Sequence, residues 1–191
     1  MSNIAKLSLT PTSLETAQGR TKEVLEAGKK SAGSIPNMYA GMANSPALLD
    51  NYLHGYNLFR AESGFTPAEQ ELVFLSIARV NACTYCVAAH SFIAAVVSKT
   101  PAQAVQAVRD DTPVEDPKLA ALDKFTQTMV SSRGKPTPSE LAAFVHAGYT
   151  EKNVLEIILA IAVKTISNYS NHVFHTPVDD MFKAQAWTPK V

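Results

Sequence analysis

A chain of 191 residues, 46% apolar and 18% charged, can bury one sizeable core and is composed like an ordinary globular protein, which predicts a single domain over 1–191. Seventeen basic residues balance seventeen acidic ones, which argues against nucleic acid or an anionic membrane as partner. Two cysteines three positions apart are no secreted disulfide framework, and neither Met1 to Lys6 nor the short apolar run Ile157 to Val163 reads as a signal peptide or a membrane span, so a reducing cytoplasm is the expected compartment.

Helix-start chemistry recurs along the chain: Thr as N-cap, Pro at the first helical position and an acid or amide two residues later. It occurs at Thr66-Pro67-Ala68-Glu69, Thr100-Pro101-Ala102-Gln103, Thr137-Pro138-Ser139-Glu140 and Thr176-Pro177-Val178-Asp179, with weaker forms at Thr12-Ser13-Leu14-Glu15 and Ser45-Pro46. These signals predict helices near 13–30, 36–43, 46–62, 67–81, 84–98, 101–108, 117–131, 138–147, 150–170 and 177–186. No segment alternates convincingly and no Asn-Gly or Asp-Gly turn is present, so the predicted class is all-α. The helices at 67–81 and 150–170 are apolar nearly all round, and in a chain this small that predicts a homo-oligomer covering one of them. The dithiol is then expected near a neighbouring subunit.

A shift of 84 positions aligns 65–90 with 149–174, placing Cys83-Thr84-Tyr85-Cys86 on Ser167-Asn168-Tyr169-Ser170. Either two capped apolar helices coincide, or a helix–turn–helix unit is duplicated, with an armed copy inside a core of 45–115 and an unarmed copy at 149–174.

The armed copy carries the chemistry. Cys83, Cys86 and His90 are spaced i, i+3, i+7 and share one helical face, with Cys83 nearest a helix start, where unpaired amides favour thiolate over thiol. Two thiols one turn apart can close a disulfide, and His90 is within reach of the Cys86 proton. The dipole favours Cys83 as the more acidic of the two. Zinc held by Cys83, Cys86 and His90, with His172 or His175 as fourth ligand, stays open, as do two ordinary half-buried cysteines. Glu71 sits among Phe74, Leu75 and Ala78; periodicity favours the solvent edge, whereas burial would demand a partner and raise its pKa toward that of a useful base.

Glu71, Cys83-Thr84-Tyr85-Cys86 and His90 together match E-x11-C-x2-C-x3-H, and the chain thereby resembles the alkylhydroperoxidase D group of the carboxymuconolactone decarboxylase-like superfamily. The likeness is nearest its peroxidase-related branch, whose tail Asn168-Tyr169-Ser170-Asn171-His172 and Thr176-Pro177-Val178-Asp179 resemble. The resemblance implies a multi-helix orthogonal bundle, a trimer or hexamer, and reduction of a small hydroperoxide by a CxxC dithiol that an external dithiol or protein reductant regenerates, with no flavin, haem or metal. It implies that Cys86 strikes the peroxide, that its proton leaves through His90 and Glu71, and that Cys83 faces the reductant. Tyr85 stands where that group often has His. Two rival readings are an acid–base lactone decarboxylase of the same superfamily and a zinc-holding or redox-sensing protein without enzymatic activity.

Overall fold

The computed structural model describes residues 4–189, so Met1 to Asn3, on which part of the signal-peptide reading rests, lie outside the described residues. Among the described residues there is no strand. The helices are α1 (Gly19–Ala32), α2 (Asn37–Met42), α3 (Pro46–Glu62), α4 (Pro67–Val80), α5 (Thr84–Val96), α6 (Ala102–Asp110), α7 (Pro117–Ser131), α8 (Pro138–His146) and α9 (Glu151–Phe174), followed by a 3-10 helix, Asp180–Gln185. No described helix is long and apolar enough to cross a membrane.

The cap chemistry explains most starts. Thr66 and Thr137 each close a capping box with the Glu three residues on, Thr150 does the same with Asn153, and Asp116 accepts from the Leu119 amide. Three predicted starts fail for identifiable reasons. The first helix begins at Gly19 rather than near 13, after a Ser13–Thr16 turn has closed on itself. Thr100 does not cap α6, because its amide bonds back to Ala94 and its side chain is buried. Thr176-Pro177 starts no helix either: Asp179 is drawn to α2 and α5, so the chain runs extended to it before the 3-10 turns.

The centre of the molecule is α4, which packs against α5, α6, α7 and α9, so its apolar circumference is covered within one chain from Glu69 to Ala78. The other all-round apolar helix, α9, packs on α2, α3, α4, α5 and α7 but leaves Leu155, Ile158 and Tyr169 exposed. It also runs on to Phe174, unbroken where the aligned segment turns at Asn81–Cys83, so 149–174 does not copy a helix–turn–helix shape. At that turn Cys83 N–H reaches the Ala78 carbonyl (2.9 Å) and Ala82 N–H the Arg79 carbonyl (2.9 Å), a Schellman closure with Ala82 left-handed at φ +52°. This closure leaves Cys83 at the N-cap of α5 with its sulfur turned inward.

Candidate functional site

Cys83, Cys86 and His90 are all buried on the inner side of α5. Glu71, placed by periodicity at the solvent edge, is instead fully buried in α4. Its partners account for this: one carboxylate oxygen is paired with the Arg60 guanidinium from α3, and Oε2 lies 2.8 Å from His90 Nδ1. Arg60 is itself held by the Tyr56 hydroxyl at 2.7 Å, by Gln70 Oε1 at 3.2 Å, and by the ring faces of Tyr56 and Phe74. The chain of contacts continues past the imidazole. Lys164 of α9, fully buried, places Nζ 2.9 Å from His90 Nε2.

Around the sulfurs, Asn171 Nδ2 stands 3.3 Å from Cys86 Sγ and 3.8 Å from Cys83 Sγ, and the Ser167 hydroxyl is 3.9 Å from Cys86. Both cysteines are free thiols.

The charges divide the two thiols. Burial pushes the Cys86 thiol up, but the Cys83 hydrogen bond, the Lys164 ammonium and His90 more than offset it, and Cys86 ends well below its ordinary value. Cys83 moves the other way, raised by its bond to Cys86 and by burial. The helix-dipole expectation is thus reversed, because a buried cation on the same cavity wall outweighs a half-charge at a helix end. Glu71 also departs from expectation. Burial pushes its carboxyl up, yet His90 and Arg60 bring it below its ordinary value. His90 is lowered, by burial and then by Lys164.

Cys86, His90 and Lys164 open on a cavity of about 300 Å3 whose walls include Tyr39, Tyr52, Tyr56, Tyr85, Phe92 and Phe182. One wall is the C-terminal strap 175–187. Tyr85 donates to Asp179, Phe182 packs on Phe92 with ring centroids 5.4 Å apart, Arg109 donates to the carbonyls of Gln185 and Ala186, and Trp187 Nε1 donates to Arg109 at 2.9 Å.

The structure brings Glu71, Cys83, Cys86 and His90 together and leaves His172 and His175 apart. His172 stacks on Tyr169, and His175 Nε2 meets the Ile4 carbonyl at 3.1 Å. Both His90 nitrogens are already engaged, and among the described residues no group of three His, Cys, Asp or Glu side chains is arranged to hold a metal ion, so the proposed zinc set does not assemble. Sequence reasoning missed Arg60 and Lys164. Lys164 carried one signal: it continues the apolar run 157–163 on the face of Ala160, Val163 and Ser167, all buried.

The carboxymuconolactone decarboxylase family model matches residues 46–127. A peroxidase-related protein with an alkylhydroperoxidase AhpD core from Ralstonia eutropha JMP134 superposes with a TM-score of 0.80 at 21% identity, over 100% of both chains. A peroxidase-related protein from Silicibacter sp. TM1040 gives 0.73 at 16% over 95% of each chain. A variant of the debrominase Bmp8 in complex with 2,3,4-tribromopyrrole gives 0.76 at 16% over 96% of this chain and 97% of that one. At these identities the likeness establishes the fold. No match is found among curated protein sequences.

Proposed function

We propose that this chain, whose residues 46–127 match the carboxymuconolactone decarboxylase family model, is a thiol-dependent peroxidase acting on organic hydroperoxides through a Cys83/Cys86 dithiol cycle. The observation that carries this reading is a buried dithiol at the wall of an aromatic cavity, Cys86 with Cys83 beside it and with His90 and Lys164 on the same wall. Cys86 thiolate attacks the terminal peroxide oxygen, the O–O bond breaks, and sulfenic acid and an alcohol form. Cys83 then condenses with the sulfenic acid, releasing water and leaving a disulfide. An external dithiol, small or carried on a protein, takes over the oxidation and restores both thiols. Acid–base lactone decarboxylation would leave the low-pKa thiol idle.

The test is mass spectrometry with thiol counting. One equivalent of cumene hydroperoxide is expected to remove two hydrogens, mapped to the peptide that carries both cysteines, and to yield one equivalent of alcohol. Two free thiols remaining in folded protein would refute the cycle. The aromatic walls favour one second reading, reductive debromination, the activity for which one structural neighbour is named: the Cys86 thiolate takes bromine from an aromatic ring, the ring carbon takes up a proton, and Cys83 then displaces bromide from sulfur to leave the same disulfide. Halide release from a brominated pyrrole, with no turnover of hydroperoxide, would decide for it.

A further inference from the structure

We infer that Lys164 is a catalytic residue of this site: its Nζ takes the proton of Cys86 and returns it to the oxygen that leaves the peroxide, while His90, Glu71 and Arg60 hold the amine in position. The delivery step rests on the peroxidase reading; the claim that Lys164 holds the Cys86 proton does not.

Glu71 Oε2 is an acceptor 2.8 Å from His90 Nδ1, so Nδ1 carries the hydrogen and donates it. Nε2 then has only a lone pair, which accepts from Lys164 Nζ at 2.9 Å. A neutral His90, as burial and Lys164 favour, has no unengaged nitrogen left to serve Cys86 directly. The cation that shares the cavity wall with the sulfur is Lys164, whose charge favours the Cys86 thiolate. A fully buried ammonium needs partners. Those available are the imidazole nitrogen, the Cys86 sulfur and the face of Phe74, whose ring centroid is 5.6 Å away. The other titratable groups about this pair are Cys83 at the start of α5, Tyr85 on α5, Glu71 on α4, and Tyr52, Tyr56 and Arg60 on α3.

Lys164 and Cys86 line one cavity, so a peroxide bound against the sulfur also lies within reach of the amine. The step balances without an outside proton. Amine and thiol form ammonium and thiolate, and thiolate attack breaks O–O and forms S–O. The departing alkoxide then takes the ammonium proton, giving alcohol, sulfenic acid and the free amine. In this arrangement the Glu71–His90 pair aims the lysine, in the way a carboxylate aims a triad histidine.

The test uses a Cys83→Ser background, in which Cys86 is the one sulfur reporting. Lys164→Met, matched in length, is expected to raise the midpoint of the iodoacetamide pH profile by about one unit or more. It should also slow single-turnover oxidation by cumene hydroperoxide roughly a hundredfold near neutrality. Lys164→Gln, which can still hydrogen-bond His90 but has no acidic proton to give, should behave like Lys164→Met. An alkylation profile and oxidation rate within a factor of two of the background protein in either folded variant would overturn the inference. In protein without any change at Lys164, labelled with 15N-lysine, one Nζ resonance must shift when Cys86 is alkylated; no shift would overturn it equally. Should the parent consume no hydroperoxide, the peroxidase reading and the delivery step fall together, while alkylation and NMR still decide whether Lys164 holds the Cys86 proton.

Discussion

The hydroxyl of Tyr85, between the two cysteines, donates to Oδ2 of Asp179, ninety-four positions later, and Oδ1 of the same carboxylate accepts from the Asn37 amide at 3.1 Å. One carboxylate thus pins the C-terminal strap to both α5 and α2. Burial, with Asp179 next, pushes the Tyr85 phenol far above its ordinary value, so it remains a donor across the accessible pH range. Tyr85→Phe is predicted to destabilise the fold by about 1.5–3 kcal/mol, the range for a hydrogen bond to a charged acceptor. Hydrogen exchange should rise in 175–187 with little change in α4. Uniform exchange across both segments would show that the strap does not depend on this contact.

A second prediction concerns Glu71 and Arg60. Shape conservation alone would suggest a mild effect of Glu71→Gln. The buried pair says otherwise, because the guanidinium loses its counter-charge while only about a fifth of its side chain stays exposed. A loss of about 3 kcal/mol is expected, the low end for a broken buried pair. Adding Arg60→Met should recover a large part of it, since removing both charges removes the unpaired one. Urea midpoints of the single and double variants check this, and a double variant no more stable than Glu71→Gln would contradict it.

These residues show what was legible in the sequence. Glu71, Cys83, Cys86 and His90 lie within twenty positions of one another, and the chemistry of thiols and imidazole is rare enough to make their spacing informative. Caps were legible where they act locally, as at Thr66 and Thr137. Thr100 and Thr176 misled because their neighbours are committed to distant partners: Ala94 holds the Thr100 amide, and Tyr85 with Asn37 holds Asp179. The same limit hid Arg60 and Lys164. Lys164 meets His90 across seventy-four positions, a contact made by packing α9 on α5 and written into no local spacing.

Stability should fall with acid in successive windows. Burial and Lys164 lower His90 in the folded state, so near its ordinary value of about 6.5 the unfolded chain binds a proton that the folded one refuses. The unfolded state then holds more protons, and stability falls as pH drops from there to the folded value. The Glu71 carboxylate, lowered by His90 and Arg60 against burial, contributes stability that is present above about 4.3 and is lost as pH falls through its folded value. Cys86 acts in the same sense. His90→Gln should therefore flatten the pH dependence of the urea midpoint in the window just below about pH 6.5 while leaving a decline at lower pH. Equal slopes in parent and variant over the upper window would refute the assignment.

The final prediction is assembly, and α9 supplies its surface. α4 is covered on all sides by its own chain, so it cannot be the apolar helix that needs a partner. On α9, Leu155 is 65% exposed, Ile158 47% and Tyr169 59%, along one side of the helix. Beside them runs a groove of about 580 Å3 walled by Val80, Met129, Val130 and Ile161. A row of exposed apolar side chains beside such a groove marks an interaction surface, and a symmetric copy is the simplest cover for it. We therefore predict a homo-oligomer joined through α9, for which the resemblance points to three or six subunits. Light scattering at micromolar concentration tests it: a mass near the 20.6 kDa of one chain would sink the prediction. Leu155→Glu with Ile158→Glu should dissociate the assembly. The alkylation profile of Cys86 in the dissociated protein then shows whether the site stands alone: an unchanged profile would show that Lys164, Asn171 and Ser167 of the same chain suffice. Dissociation accompanied by loss of the low-pH reactivity would show instead that a neighbouring subunit completes the dithiol site.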